Sequence, residues 1–162
     1  MAAKYSDEEI IKLLEERKLL PADYKARIQL RDKRGHKESF LDVSGADGNE
    51  FRLILRQNIF NVLDFSIILA IVIPDSNQLF RLRRYNGKSH EHSNEIEKIT
   101  FYDFHVHTAT ERYQELGARE DTFAEPSGNF NDYHSALRSM FDECGFELPN
   151  DPQQQLFGEG EI

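Results

Sequence analysis

A period of two runs through the middle of the chain and limits it more than any other feature does. Ala26, Ile28 and Leu30 alternate with Lys25, Arg27, Gln29 and Arg31; Phe51, Leu53 and Leu55 alternate with Arg52, Ile54 and Arg56; Phe80 and Leu82 alternate with Arg81, Arg83 and Tyr85. Successive side chains on a strand point to opposite faces, so the pattern predicts strands with one buried and one open face. Asp32-Lys33-Arg34-Gly35, the Asp-Gly pair within Gly45–Asn49, and Pro74-Asp75-Ser76-Asn77 supply turns between them, and a further strand is expected over 38–44. The strand expected over 62–73 departs from the alternation. Beyond Ser66 it is apolar on both faces, which suits a central, covered strand. Residues 86–98, NGKSHEHSNEIEK, read as a polar loop. A last strand follows over 101–107, with Tyr102, Phe104 and Val106 on one side and Asp103, His105 and His107 on the other.

Helices are expected at the two ends. Ser6 and Glu9 have the spacing of a capping box, and Ile10, Ile11, Leu14 and Leu19 recur at helical intervals until Pro21. Phe130, Leu137, Met140, Phe141 and Cys144 share a helical face over 129–144, with Gly145 in the position of a helix-ending glycine. A short helix ending at Gly117 is also expected in ATERYQELG. The fold class is therefore α+β: an antiparallel meander sheet of about six strands flanked by an N-terminal and a C-terminal helix. Residues 1–150 are read as one domain and 151–162 as a polar, flexible tail.

Composition narrows the function classes. The chain has 162 residues, 39% hydrophobic, with twelve phenylalanines, enough for one ordinary core. Its single cysteine, Cys144, excludes an intramolecular disulfide and suits a buried small hydrophobe in a cytoplasmic protein. MAAKYSDEEI lacks the pattern of a signal peptide, and the apolar run FSIILAIVIP is about half of what a membrane-spanning helix needs, so a soluble protein without a membrane partner is expected. The net charge of −9 disfavours a general polyanion binder, but residues 121–162 hold nine acidic residues and one basic residue. Elsewhere Arg81, Arg83, Arg84 and Lys88 form a basic group, so a local anion site is compatible with an acidic chain.

Alternation collects Arg52, Arg56, Arg81, Arg83, Tyr85, Asp103, His105 and His107 on one open sheet face, with Lys88, His90, His92 and Asn94 at the loop rim. Two chemistries and one bland reading fit this set. In metal-free RNA cleavage, His90, His105 and His107 act as acid and base, Arg83, Arg84 or Lys88 clamps the phosphate, and Tyr85 or Tyr113 stacks on a base or donates a proton. No cofactor is needed for that. A metal held by His90, His92, His105 and His107, with Asp103 as an oxygen donor, is the second chemistry. The third reading is a binding module whose basic and aromatic face docks a partner without catalysis. His36 and His134 read as ordinary turn and helix histidines.

Arg84-Tyr85-Asn86, then His90-x-His92, then Phe104-His105-x-His107 resembles the TumE-like toxins of bacterial toxin-antitoxin pairs, over about 25 residues. That family carries Arg-Tyr-Asp-Asn and Phe-Pro-His-His-x-His; here one residue of Asp-Asn is missing and Val106 replaces a polar position. RRYNGKSHEH and FYDFHVHTATERYQ also look like uncharacterised bacterial proteins of mobile or defence-associated loci. The resemblance implies a cytoplasmic, RNA-directed growth inhibitor restrained by an antitoxin partner, with Arg84, Tyr85, His90, His92, His105 and His107 carried over. The leading expectation is thus a toxin-like or defence-associated protein acting on RNA through the His/Arg-rich sheet face, with metal-independent ribonuclease chemistry as its form. The alternative is a non-enzymatic protein- or nucleic-acid-binding module, in a homodimer or with another partner.

Overall fold

The computed structural model describes residues 4–149. Helix α1, Asp7–Glu15, begins at the expected capping box: the Ser6 side chain accepts from Glu9 N, and Glu9 accepts from Ser6 N. Ile10, Leu13 and Leu14 form its buried face. The helix stops at Glu15, short of Pro21, and Lys18–Leu19 continues as a short strand, β1, parallel to Phe146–Glu147.

The strand expected from Lys25 is instead a helical turn, α2, Tyr24–Arg27. Tyr24 and Ile28 are both buried, and their four-residue spacing suits a helix as well as Ala26, Ile28 and Leu30 suit a strand; burial of the Tyr24 ring decides between the two periods. Strand β2, Arg31–Lys33, starts where the expected strand was to end, and turns through Arg34 and Gly35, both at positive φ, into β3, His36–Ser44. Next come β4, Glu50–Asn58, β5, Phe65–Val72, and β6, Leu79–Asn86.

The polar stretch after β6 folds as a small hairpin, β7, His92–Asn94, with β8, Ile99–Phe101, rather than as an irregular loop. Strand β9 is His105–Thr108, shorter than expected, so Asp103 lies outside it. The short helix α3, Glu111–Glu115, is followed by Gly117 at positive φ, as the sequence predicts. Strand β10, Ala124–Pro126, helix α4, Tyr133–Glu143, and β11, Phe146–Glu147, complete the described chain. The tail expected over 151–162 lies outside the described residues.

The main sheet has seven strands in the order β10-β9-β6-β5-β4-β3-β2, every pair antiparallel. It is an α+β meander, with β9 and β10 added beside β6 after the hairpin excursion. One face carries Leu41, Val43, Phe51, Leu53, Leu55, Ile67, Leu69 and Ile71, all buried in a single cluster with side chains of α1 and α4. Each such burial is worth about 1.5–3 kcal/mol, so this face sets strand register. The other face of β3–β5 is open: Phe40 is 57% exposed, with Arg52 lying over its ring.

One irregularity controls which residues reach which face. Arg81 pairs with Ala70 and Arg83 with Leu69, so Leu82 is an extra residue on β6. Residues directly opposite one another share a face, and an extra residue reverses the alternation beyond it. Arg83 and Tyr85 therefore turn to the helix-covered face with Leu69 and Ile67, whereas Arg84 and Asn86 turn to the other with Ile68 and Ser66. The common face expected for Arg81, Arg83 and Tyr85 is not formed.

Candidate functional site

Strand β9 keeps the period of two, so His105 and His107 point the same way, and both are buried. Cross-strand register sets Asn86 opposite His105 and Arg84 opposite His107, on the face the helices leave uncovered. The β7–β8 hairpin covers this end of that face and brings a third imidazole. Its anchor is Asn94: the side chain donates to Ala124 O at 2.7 Å and accepts from Ala124 N at 3.0 Å, which ties the hairpin to edge strand β10. Since Ala124 pairs with His107, that tie seats His92 over the β9 histidines.

The three rings form a compact group. His92 stacks on His105 at 5.5 Å between centroids and meets His107 edge-on at 4.8 Å; His105 and His107 are 4.9 Å apart. One ring nitrogen of each lies within 4.8 Å of those of the other two. Phe101 closes one side at 5.6 Å from His105. His90 is exposed, with its ring 6.4 Å from that of His105 and its Nδ1 3.0 Å from Ser89 Oγ.

Hydrogen bonds fix the tautomers. His105 Nδ1 lies 2.8 Å from Asp103 O, and His107 Nδ1 lies 2.8 Å from Asp121 O. A carbonyl only accepts, so each Nδ1 carries the proton and each Nε2 presents a lone pair. His92 Nε2 donates to Asn94 Oδ1 at 2.9 Å, since that oxygen already accepts from Ala124 N. Burial is the main cause that lowers the pKa of His105, to about 4, with the nearby His92, His90 and Arg84 adding to it against the Asp103 carbonyl. His107 is lowered further, by burial and then by Arg84, His105 and His92. Both rings are neutral at ordinary pH.

A cationic flank borders the histidines. Arg84 Nε is 3.1 Å from Asp121 Oδ2; Arg81 and Arg119 approach the same carboxylate at 3.8 and 4.0 Å, and Arg81 also nears Glu120 at 3.6 Å. Asp121 is fully buried. It acts twice, through its carbonyl on His107 and through its carboxylate on Arg84. Asp121 was not singled out in the sequence, and Asn86 and Asn94 entered it only in the Arg84-Tyr85-Asn86 motif and at the loop rim, with no bonding role; the spacing of three between the buried Leu82 and Tyr85 is the sequence mark of the bulge that turns Arg84 and Asn86 to this face.

The remaining expected residues are dispersed. Tyr85 is buried beneath α4, its hydroxyl donating to Glu143 Oε1 at 2.5 Å, and Arg83 Nε donates to Thr108 Oγ1 at 3.3 Å. These two lie across the sheet from the histidines. Tyr113 is buried too: its hydroxyl donates to Glu97 at 2.6 Å and accepts from Ile96 N at 3.0 Å, bracing the hairpin turn. Arg52 is paired with Asp42 at 2.7 Å, and Arg56 Nη2 lies 3.5 Å from His36 Nε2, both on β4, two strands from β6. Lys88 lies over the Tyr102 ring at 5.4 Å. Asp103 has an exposed side chain, and only its carbonyl reaches the site.

No protein-family model, curated protein or solved structure matches this chain. Among the described residues no helix is long and apolar enough to cross a membrane.

Proposed function

We propose that the protein acts on RNA at the His92–His105–His107 cluster, as a toxin-like or defence-associated ribonuclease of the cytoplasm. The observation that carries this reading is the convergence of three imidazoles beside Arg84 on one end of one sheet face. The TumE-like resemblance supplies the substrate class and the expectation of a restraining antitoxin partner. In the metal-free form of the reaction a β9 imidazole lone pair takes the 2′-hydroxyl proton. The 2′-oxygen then attacks the adjacent phosphorus, and the bond to the 5′-oxygen breaks, leaving a 2′,3′-cyclic phosphate and a 5′-hydroxyl. His90 at the rim returns a proton to that oxygen, and Arg84 faces the phosphate charge. Arg83 and Tyr85 take no part in this version, since they sit beneath α4.

A second reading, a binding module without catalysis, draws on the open face of β3–β5, where the exposed Phe40 lies among Arg52, Arg56 and Ile54. A labelled-RNA assay separates the two. Cleavage by the wild type that falls at least about 100-fold in His105→Ala and His107→Ala, and is retained in His134→Ala, is the expected result, in line with what a positioned acid or base contributes. RNA bound but not cleaved by the wild type moves the function to the binding module, and cleavage unaffected by either β9 variant removes the site.

A further inference from the structure

We infer that His92, His105 and His107 form a three-histidine site for a divalent transition-metal ion of the zinc class. The inference rests on the same site as the RNA-directed reading and takes the place of its metal-free step, since the lone pair that accepts the 2′-hydroxyl proton there is the one that binds the ion here; its test contains no RNA, so either can fail alone.

The group has the right donor chemistry. Imidazole nitrogen is a preferred ligand for zinc, and three protein nitrogens with a fourth position left for water or substrate is the arrangement of zinc centres that do chemistry. Tetrahedral coordination at 2.0–2.1 Å places ligand nitrogens about 3.4 Å apart. The three here lie within 4.8 Å, so closure requires shifts on the order of 1 Å. The element with most freedom to move is the hairpin: His105 and His107 lie on β9, which is paired on both sides by β6 and β10, whereas His92 sits half-buried on a two-stranded hairpin of three-residue strands.

The supporting bonds point the same way. Metal-bound histidine characteristically donates its other ring N–H to a carbonyl or carboxylate, which fixes the tautomer and aims the lone pair. His105 does this to Asp103 O and His107 to Asp121 O, each at 2.8 Å, while His92 donates to Asn94. Three histidines with three separate hydrogen-bond partners, and one ring nitrogen of each within 4.8 Å of the other two, is more than packing requires. A buried histidine that only fills space needs both nitrogens satisfied, yet the sole partner of His105 Nε2 is Asn86 Nδ2 at 3.5 Å, at the limit of a hydrogen bond. Phe101 and the hairpin close one side of the centre, and Arg84, already paired with the buried Asp121, lies beside it.

The test is a titration of chelator-stripped full-length protein with Co²⁺, followed by its visible d–d absorption and then by competition with Zn²⁺. One ion per chain, an absorption envelope of four- or five-coordinate cobalt, and displacement by zinc are expected. His107→Ala and His92→Ala should each weaken binding by about 10- to 100-fold or more, and His134→Ala should leave it unchanged. His92 is half-buried and on the hairpin, so its variant reports on binding even if a β9 variant fails to fold. Absence of saturable wild-type binding below about 100 μM, or binding that survives His92→Ala and His107→Ala alike, overturns the inference.

Discussion

Lys18 is the residue whose setting departs most from what its type leads one to expect. It is fully buried, and its ammonium lies 2.7–3.2 Å from the carbonyls of Leu13, Leu14, Glu16 and Cys144 and 4.5 Å from the centre of the Phe51 ring. It thus closes the carbonyl end of α1, where a cation is favoured, and ties that end to α4. Burial pulls its pKa down to about 8, against nearby acidic groups. The folded value lies below the unfolded one of 10.5, so between about pH 8 and 10.5 the unfolded chain binds more protons. Lys18 therefore contributes rising stability with pH across that window and none of this slope below it. Burial raises the Cys144 thiol and acts the other way above its ordinary value, so the quantity to follow is the difference in urea midpoint between wild type and Lys18→Met. At pH 7 Lys18→Met should be less stable by roughly 1–3 kcal/mol for the carbonyls left bare, and the difference should grow from pH 8 to 10; a difference that stays flat contradicts the assignment. At the same scale, Arg83 and Tyr85 show how a single residue redirects a reading: Leu82 is one residue too many for a regular ladder, and two side chains expected at the site end up bonded beneath the helices.

The element that makes the site is the β7–β8 hairpin. Its seat rests on Asn94, whose two bonds to Ala124 replace ladder bonds that the hairpin itself does not make with the main sheet. Removing them in Asn94→Ala costs about 1–3 kcal/mol of local stability, so amide exchange over residues 92–101 should accelerate roughly tenfold or more while β4 and β5 stay protected. Unchanged exchange there would show that packing alone holds the hairpin. This element also marks where reading the sequence stops. Strands β3, β4 and the first half of β6 were legible because one face of each is apolar against the helices, and period two records that directly, while β5 showed as a continuous apolar run. Residues 86–98 have no apolar face to record; their order comes from side-chain bonds to residues fifteen or more positions away, such as Asn94 with Ala124 and Glu97 with Arg112 and Tyr113. The helical turn Tyr24–Arg27 was hidden for the opposite reason, because its short segment satisfies both periods. His105 and His107 were placed correctly relative to each other, since a strand needs only two residues to show its alternation; their partnership with Arg84 rather than Arg83 depends on the bulge.

Over the whole molecule, the sheet separates two tasks. The face toward α1 and α4 holds the core, and the opposite face carries the histidine end under the hairpin and the open arginine area on β4. The two ends correspond to the two functional readings, and each has its own histidine reporter: His105 and His107 at the cluster, and His36, 3.5 Å from Arg56, beside the open area. Adding uncleavable 2′-O-methyl RNA to the ¹⁵N-histidine-labelled protein and recording long-range imidazole spectra reads both at once. The account predicts that the ring nitrogens of His92, His105 and His107 shift in a saturable way while those of His36 and His134 stay fixed; shifts confined to His36, or none at any histidine, would contradict it.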